Sequence, residues 1–159
     1  MVNPNDGRPI LAMVTLNEPV VDRDRLATSV RKRIPAAGPL AAQAQGVITC
    51  VIGDELAAIG LVPALVPWSD LDGPCATTWY WPEATEAMQR HRVDVIVTLS
   101  GGRGDPVARH VLLTRVMAAT VETIDVASVY RGSDAMVQSR ERFLTEAARV
   151  ADDYLPPDL

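Results

Sequence analysis

The apolar positions of this chain change their spacing along its length, and each spacing predicts a different element. Ile10-Leu-Ala-Met-Val14-Thr-Leu16 and Val93-Asp-Val-Ile-Val-Thr98-Leu-Ser100 run nearly unbroken, without the alternation of a half-solvated strand. Both are therefore predicted strands covered on both faces or nearly so, the first of them central. Behind Asp22, a residue suited to cap a helix, Leu26, Val30 and Ile34 recur every fourth position until Pro35-Ala-Ala-Gly38-Pro39 stops the pattern. Residues 47–52 and 56–62 are two further apolar runs around Gly53-Asp54, which predicts an antiparallel hairpin.

From Pro82 a helix carries Ala84, Ala87, Met88 and His91 on one face. After the second long strand, Asp105 as cap and Pro106 at the first helical position predict another helix. It turns Val107, Val111, Leu112, Val116 and Ala119 inward and leaves Arg109, His110 and Arg115 elsewhere around its barrel. Residues 124–130 make a shorter strand, followed by a turn at Arg131-Gly132-Ser133-Asp134. Ser139 then caps a helix with Phe143, Ala147, Val150 and Tyr154 on one face, Arg142 and Glu146 a turn apart outside it, and Pro156-Pro157 at its end.

The order is βαββαβ followed by α, β and α. It predicts an α+β fold: a ferredoxin-like core extended by α-β-α, with a mostly antiparallel sheet and helices packed on one face. Residues 1–9 hold two prolines, two asparagines and a glycine and form a flexible lead-in, leaving 10–159 as a single α+β domain.

One stretch departs from this regularity. Residues 63–82 hold all three tryptophans, Trp68, Trp79 and Trp81, with Tyr80 between two of them, although aromatics are only 4% of the chain. Four prolines in the same stretch deny ladder donors and fix φ, so it must leave a strand, wander and enter a helix. It is a stiff lid over the core or the wall of a binding site. Large rings beside prolines usually fill a core edge, while on a stiffened loop they also make contact surface at low entropic cost.

Composition narrows the classes. Across 159 residues, 48% hydrophobic and 22% charged describes an ordinary soluble domain large enough for a sizeable core. No apolar run reaches the roughly 20 residues a bilayer span requires, and the polar N-terminus lacks a signal peptide's pattern, so a cytoplasmic, non-membrane protein is expected. Twenty acids against fifteen bases give a charge of −5, and the basic run Arg31-Lys32-Arg33 falls at a helix end where the macrodipole favours it. Nucleic acid is not an expected partner. Cys50 and Cys75 make no disulfide framework.

Candidate chemistry is sparse. Gly101-Gly102-Arg103-Gly104-Asp105 lies between a strand and a helix N-terminus, where backbone amides can hold an anion. It lacks the Gly-Lys-Ser/Thr ending of a phosphate loop and the glycine trio of a dinucleotide site, and Asp105 puts a negative charge where a phosphate would sit. Cys75, near the start of a helical turn, is a candidate nucleophile that would need His91 or His110 as base. Asp70 and Asp72 read as turn carboxylates before they read as an acid/base pair. Two histidines and two cysteines at unrelated spacing match no metal pattern, and no cofactor motif is present.

Pro67-Trp68-Ser-Asp70-Leu-Asp72-Gly73-Pro74-Cys75-Ala-Thr-Thr-Trp79-Tyr-Trp81-Pro82, with the strand reaching Ser100 and the Leu113-Thr114-Arg115 helix, resembles the bacterial domain of unknown function 4261 family. The resemblance covers most of residues 10–155. It implies a bacterial cytosolic protein, and it supplies no activity and no catalytic residues.

The expected function is a non-enzymatic binding or interaction module, of immunity or antitoxin type, whose acidic charge suits a basic protein partner. Its binding residues are Trp68, Asp70, Trp79, Tyr80, Trp81 and Arg109. The alternative is a domain or enzyme for a small anionic ligand, built on the Gly101-Asp105 loop with Arg109 and Cys75. A third expectation is a homo-oligomer, formed through a sheet edge or the apolar hairpin.

Overall fold

The computed structural model describes residues 7–131, 135–152, 154–156 and 159. The strands among them are β1 (Ile10–Leu16), β2 (Ala41–Ala42), β3 (Val47–Ile52), β4 (Glu55–Val62), β5 (Val93–Ser100), β6 (Val126–Arg131) and β7 (Met136–Gln138). The α-helices are α1 (Arg23–Arg33), α2 (Trp68–Thr77), α3 (Ala84–Arg90), α4 (Pro106–Thr123) and α5 (Arg140–Ala147). The strands join into one antiparallel sheet in the order β2-β3-β4-β5-β1-β6-β7.

Local chemistry sets the ends of these elements. Asp22 accepts the Asp24 and Arg25 amides at the start of α1, Asp105 accepts the Ala108 amide in α4, and Ser139 accepts the Arg142 amide in α5. The β3–β4 hairpin turns at Gly53-Asp54, with Gly53 at φ 64°, a conformation open to glycine at little steric cost. The Arg131-Gly132-Ser133-Asp134 turn has its last three residues outside the described ones, and so has Pro157 at the other expected stop.

The sheet is α+β as expected, but its strand order is not ferredoxin-like. In a split βαβ unit the strands joined by the crossover are parallel with one strand between them. Here β1 and β3, joined through α1, are separated by β5 and β4 and run antiparallel. The pairing of β5 with both β1 and β4 produces this, because it puts the second long apolar strand at the middle of the sheet.

Helices also cover both faces rather than one. On the first face Ala12, Val14, Leu16, Val95, Val97, Leu99, Ala57 and Ile59 meet Leu26 and Val30 of α1, Leu113, Val116 and Met117 of α4 and Phe143 of α5 in the main core. On the second face Leu71 and Cys75 of α2, Met88 of α3, Tyr130 and Val137 form a smaller cluster, with Met13, Val66 and Trp81 against it. This second layer lies over β6, β7 and part of β1, where Met13 packs against it and Thr15 Oγ1 lies 3.9 Å from Met88 Sδ, and among the described residues no helix packs on the second face of β3 or β4.

Several side chains differ from the periodic reading. Val107 is exposed, Arg109 is buried, and Val150 and Tyr154 lie past the end of α5. Leu11 on β1 is exposed although Ala12, Val14 and Leu16 of the same strand are buried. The lead-in is tied down at its end: the Gly7 amide donates to Gly102 O at 3.1 Å, and Arg8 O accepts from Arg109 at 2.9 Å. Residues 1–6 of it lie outside the described ones.

Candidate functional site

The aromatic stretch is more helical than its prolines suggest. α2 runs through Gly73-Pro74, and Leu71 and Cys75, one turn apart, are both buried beneath it. An interior proline removes one ladder donor, a loss that this apolar anchorage offsets. Cys75 thus stands in the last turn of α2 rather than at a helix start. Burial pushes its thiol pKa up and the neighbouring Asp72 charge adds to that, which favours the thiol over the nucleophilic thiolate.

After α2 the chain folds into consecutive tight turns. Thr78 Oγ1 donates to Pro74 O at 2.7 Å, the Trp79 amide to Thr77 O at 3.0 Å, and the Trp81 amide to Thr78 O at 3.1 Å. These turns send successive aromatic side chains in different directions. Trp81 is half-buried against the smaller cluster. Tyr80 donates its hydroxyl to Val137 O at 2.8 Å, and the Arg142 guanidinium lies 4.2 Å over its ring. Trp79 sits edge-to-face on Tyr80, with ring centroids 5.8 Å apart, and is 86% exposed. Trp68, at the first turn of α2, is 39% exposed.

Of the six residues proposed to bind, three therefore face solvent, Trp68, Asp70 and Trp79, while Tyr80 and Trp81 support them. Asp70 borders a cleft of about 370 Å³ lined by Leu11, Met13, Leu65, Pro67 and Tyr130. Burial raises the Tyr130 phenol pKa, and the Asp70 charge raises it further. Residues 68–90 carry four carboxylates, Asp70, Asp72, Glu83 and Glu86, against one base, Arg90, which pairs with Glu86. The segment is acidic in sum, while the Arg142 guanidinium lies over the Tyr80 ring on which the indole rests.

Arg109 belongs elsewhere. It projects from α4 on the other side of the sheet and is 6% exposed, with Nε 2.5 Å from Glu55 Oε1 and a second nitrogen 3.3 Å from Oε2. Gly102 packs against this pair so closely that an added Cβ would lie 2.0 Å from Glu55 Oε1. The glycine loop is fixed further by the Arg103 amide donating to Asp54 at 3.2 Å, and Asp105 occupies the N-terminus of α4. A small cavity of about 180 Å³ lies beside it, lined by Arg8, Gly104, Arg109 and His110. The structure does not bring this loop together with Cys75, which lies in the cluster on the opposite face.

A second buried polar group lies beneath the segment entering α2. Asp94 is fully buried, accepts the Val66 amide at 2.9 Å and lies 3.4 Å from Nε2 of His91, whose Nδ1 donates to Met88 O. Burial raises the Asp94 pKa, against the lowering by the Val66 amide and His91. The neighbouring Thr15 and Ser128 hydroxyls share a hydrogen bond of 2.8 Å. This places His91 in a structural tie rather than beside Cys75.

Among the described residues no group of three or more His, Cys, Asp or Glu side chains could hold a metal, and no helix is long and apolar enough to cross a membrane. No family model, curated protein or solved structure matches the chain.

Proposed function

We propose that this chain is a non-enzymatic interaction module that binds a basic protein through the corner formed by Trp79, Trp68 and the carboxylates of α2 and α3. The observation that carries the reading is the 86% exposure of Trp79 on a turn whose next residue is pinned by both a hydrogen bond and a stacked guanidinium. A large ring held in place before contact gives apolar area without the entropic cost of ordering it, which is the physics of an interface hot spot. An indole face also accepts the guanidinium or ammonium of a partner, and the surrounding carboxylates speed its approach. A small acidic protein that captures a basic one, as immunity and antitoxin-type proteins of bacterial cytosol do, has this surface. The resemblance to the 4261 family adds no activity to this reading.

The rival reading, a small anionic ligand at the glycine loop, has weaker support: Glu55 neutralises Arg109, Asp105 caps the helix, and Cys75 is remote.

Photo-crosslinking in cells of the native host tests the proposal. With p-benzoyl-phenylalanine at position 79, one discrete light-dependent protein adduct is expected, absent when the probe replaces Val20, which is 64% exposed on another surface. Identical adducts at both positions, or none at 79, would overturn it.

A further inference from the structure

The second face of the sheet is covered over β6, β7 and the adjoining parts of β1 and β5 around Thr15 and Asp94, and open over β3, β4 and the rest of β5. Strand register identifies the residues of the open half: Val47, Thr49 and Val51 stand opposite Gly60, Ala58 and Leu56, which stand opposite Ile96, Thr98 and Ser100. Leu11 continues the row from Thr98 onto β1. Val51 is 58%, Leu11 56% and Leu56 42% exposed. An antiparallel sheet with one wet face normally alternates apolar-in and polar-out. Apart from Glu55, which pairs with Arg109, and the buried Asp94, these strands instead carry apolar or small neutral residues on both faces, the pattern of a sheet covered on both sides.

We infer that a second copy of this chain covers the open half, sheet face to sheet face, around a two-fold axis. Three features favour a like copy over another partner. First, no residue of the open half is charged, so a chain of net charge −5 meets its own copy there without facing like charges, whereas a basic partner would find no acid to recognise. Second, the surface is shaped as a step. The α2–α3 layer stands about one helix diameter, ~10 Å, above the sheet, and two sheets packed face to face are also separated by ~10 Å. Two such steps related by a two-fold axis interlock, each helical shoulder meeting the short β2 edge of the other copy. Third, the surface has a hollow and a ridge that suit a self-complementary contact. Val47, Ala58, Gly60, Ile96 and Thr98 line a trough of about 500 Å³, and Val51 and Leu56 protrude beside it.

The area sets the strength. Three strands at ~4.8 Å spacing and about five residues at ~3.4 Å give roughly 250 Å² for the flat part, below the ~800 Å² per partner of a standard interface even before the shoulders are added. The dimer is accordingly weak and reversible, with dissociation in the micromolar range or above. Trp79 is not among the residues of this contact, although Leu11 at its margin also lines the cleft that Asp70 borders.

Sedimentation velocity of the purified chain from about 1 μM to about 1 mM tests this, since association follows concentration by mass action. The expected result is a shift from one 17.1 kDa chain to two as concentration rises. Gly60→Val fills the trough; a Cβ at this position meets only Val47 Cγ2, at an ordinary 3.5 Å, so the fold tolerates the first added carbon. Thr98→Arg places a charge on the same face without touching the main core. Each folded variant, checked by circular dichroism, is expected to stay single across the whole range, while Trp79→Ala dimerises as the parent does. A parent chain that stays single at about 1 mM, or dimers that persist in either folded variant, would overturn the inference; the first of these results would leave the face to a different protein. Loss of dimer in Trp79→Ala would overturn it too, by moving the contact to the aromatic corner.

Discussion

The glycine loop and the aromatic turn both lead into a helix and both carry side chains suited to chemistry, yet their side chains meet opposite fates. At the loop, Arg109 is paired with Glu55, Asp105 caps α4, and Gly102 leaves room for the carboxylate that neutralises the guanidinium. At the turn, Tyr80 and Trp81 are held by the fold while Trp79, the ring between Thr78 and Tyr80, is left in solvent. A charge directed inward and paired has its explanation within the chain. An indole directed outward on a rigid support does not, and that difference is why the proposed contact is placed at the turn.

The largest effects belong to the loop. Arg109→Ala strands a buried carboxylate and is expected to cost about 3 to 5 kcal/mol in chemical denaturation, whereas replacing both members of the pair, Glu55→Leu with Arg109→Leu, restores most of it. If the double change costs as much as the single one, the pair is not what fixes the loop. Next comes the tie beneath the turn: Asp94→Ala removes the acceptor of the Val66 amide and the partner of His91, for about 2 to 3 kcal/mol, and Asp94→Asn, which keeps an acceptor, costs less. Tyr80→Phe removes the hydrogen bond to Val137 O and is expected to cost about 1 kcal/mol.

A pair outside both regions calibrates these numbers. The Glu122 pKa is lowered, chiefly by the hydrogen bond from Arg33, with burial opposing and Ser29 helping. A lowered carboxylate contributes stability that is present above its unfolded value and is lost as pH falls through the folded one. Partial exposure limits Glu122→Gln to about 1 kcal/mol at neutral pH. The gap between parent and variant is expected to close below about pH 4 in pH-resolved melting curves. A gap that widened in acid would reverse the sign argued here.

What the sequence disclosed follows the range of the forces involved. Asp22, Asp105 and Ser139 cap their helices through neighbours within three residues, and Gly53-Asp54 turns a hairpin by its own backbone freedom, so these features are visible in a short window. α2 has no clear local signal because glycine and proline are poor helix formers and Gly73 and Pro74 lie inside it; the burial of Leu71 and Cys75, a tertiary effect, holds the helix. Arg109 sits where helical periodicity assigns it to solvent, and its partner lies 54 residues away in sequence. Strand order depends on which edges β5 pairs with, and nothing local to β5 specifies that. Within the aromatic stretch, composition marked the place but could not separate Trp79 from Trp81, since the turn at Thr77 and Thr78 decides which ring faces out. The open sheet half was legible only in reverse: its lack of polar alternation reads as burial that the single chain does not provide.

The claim on which the account rests is that the paired turn residues divide into rings the fold needs, Tyr80 and Trp81, and an outward ring it does not need, Trp79. Urea denaturation of Trp79→Ala beside Trp81→Ala tests that division most directly. Trp81→Ala is expected to lose about 2 to 3 kcal/mol through its contacts with the smaller cluster, and Trp79→Ala to stay within about 0.5 kcal/mol of the parent. Equal losses for the two substitutions would make Trp79 a packing residue and contradict the account.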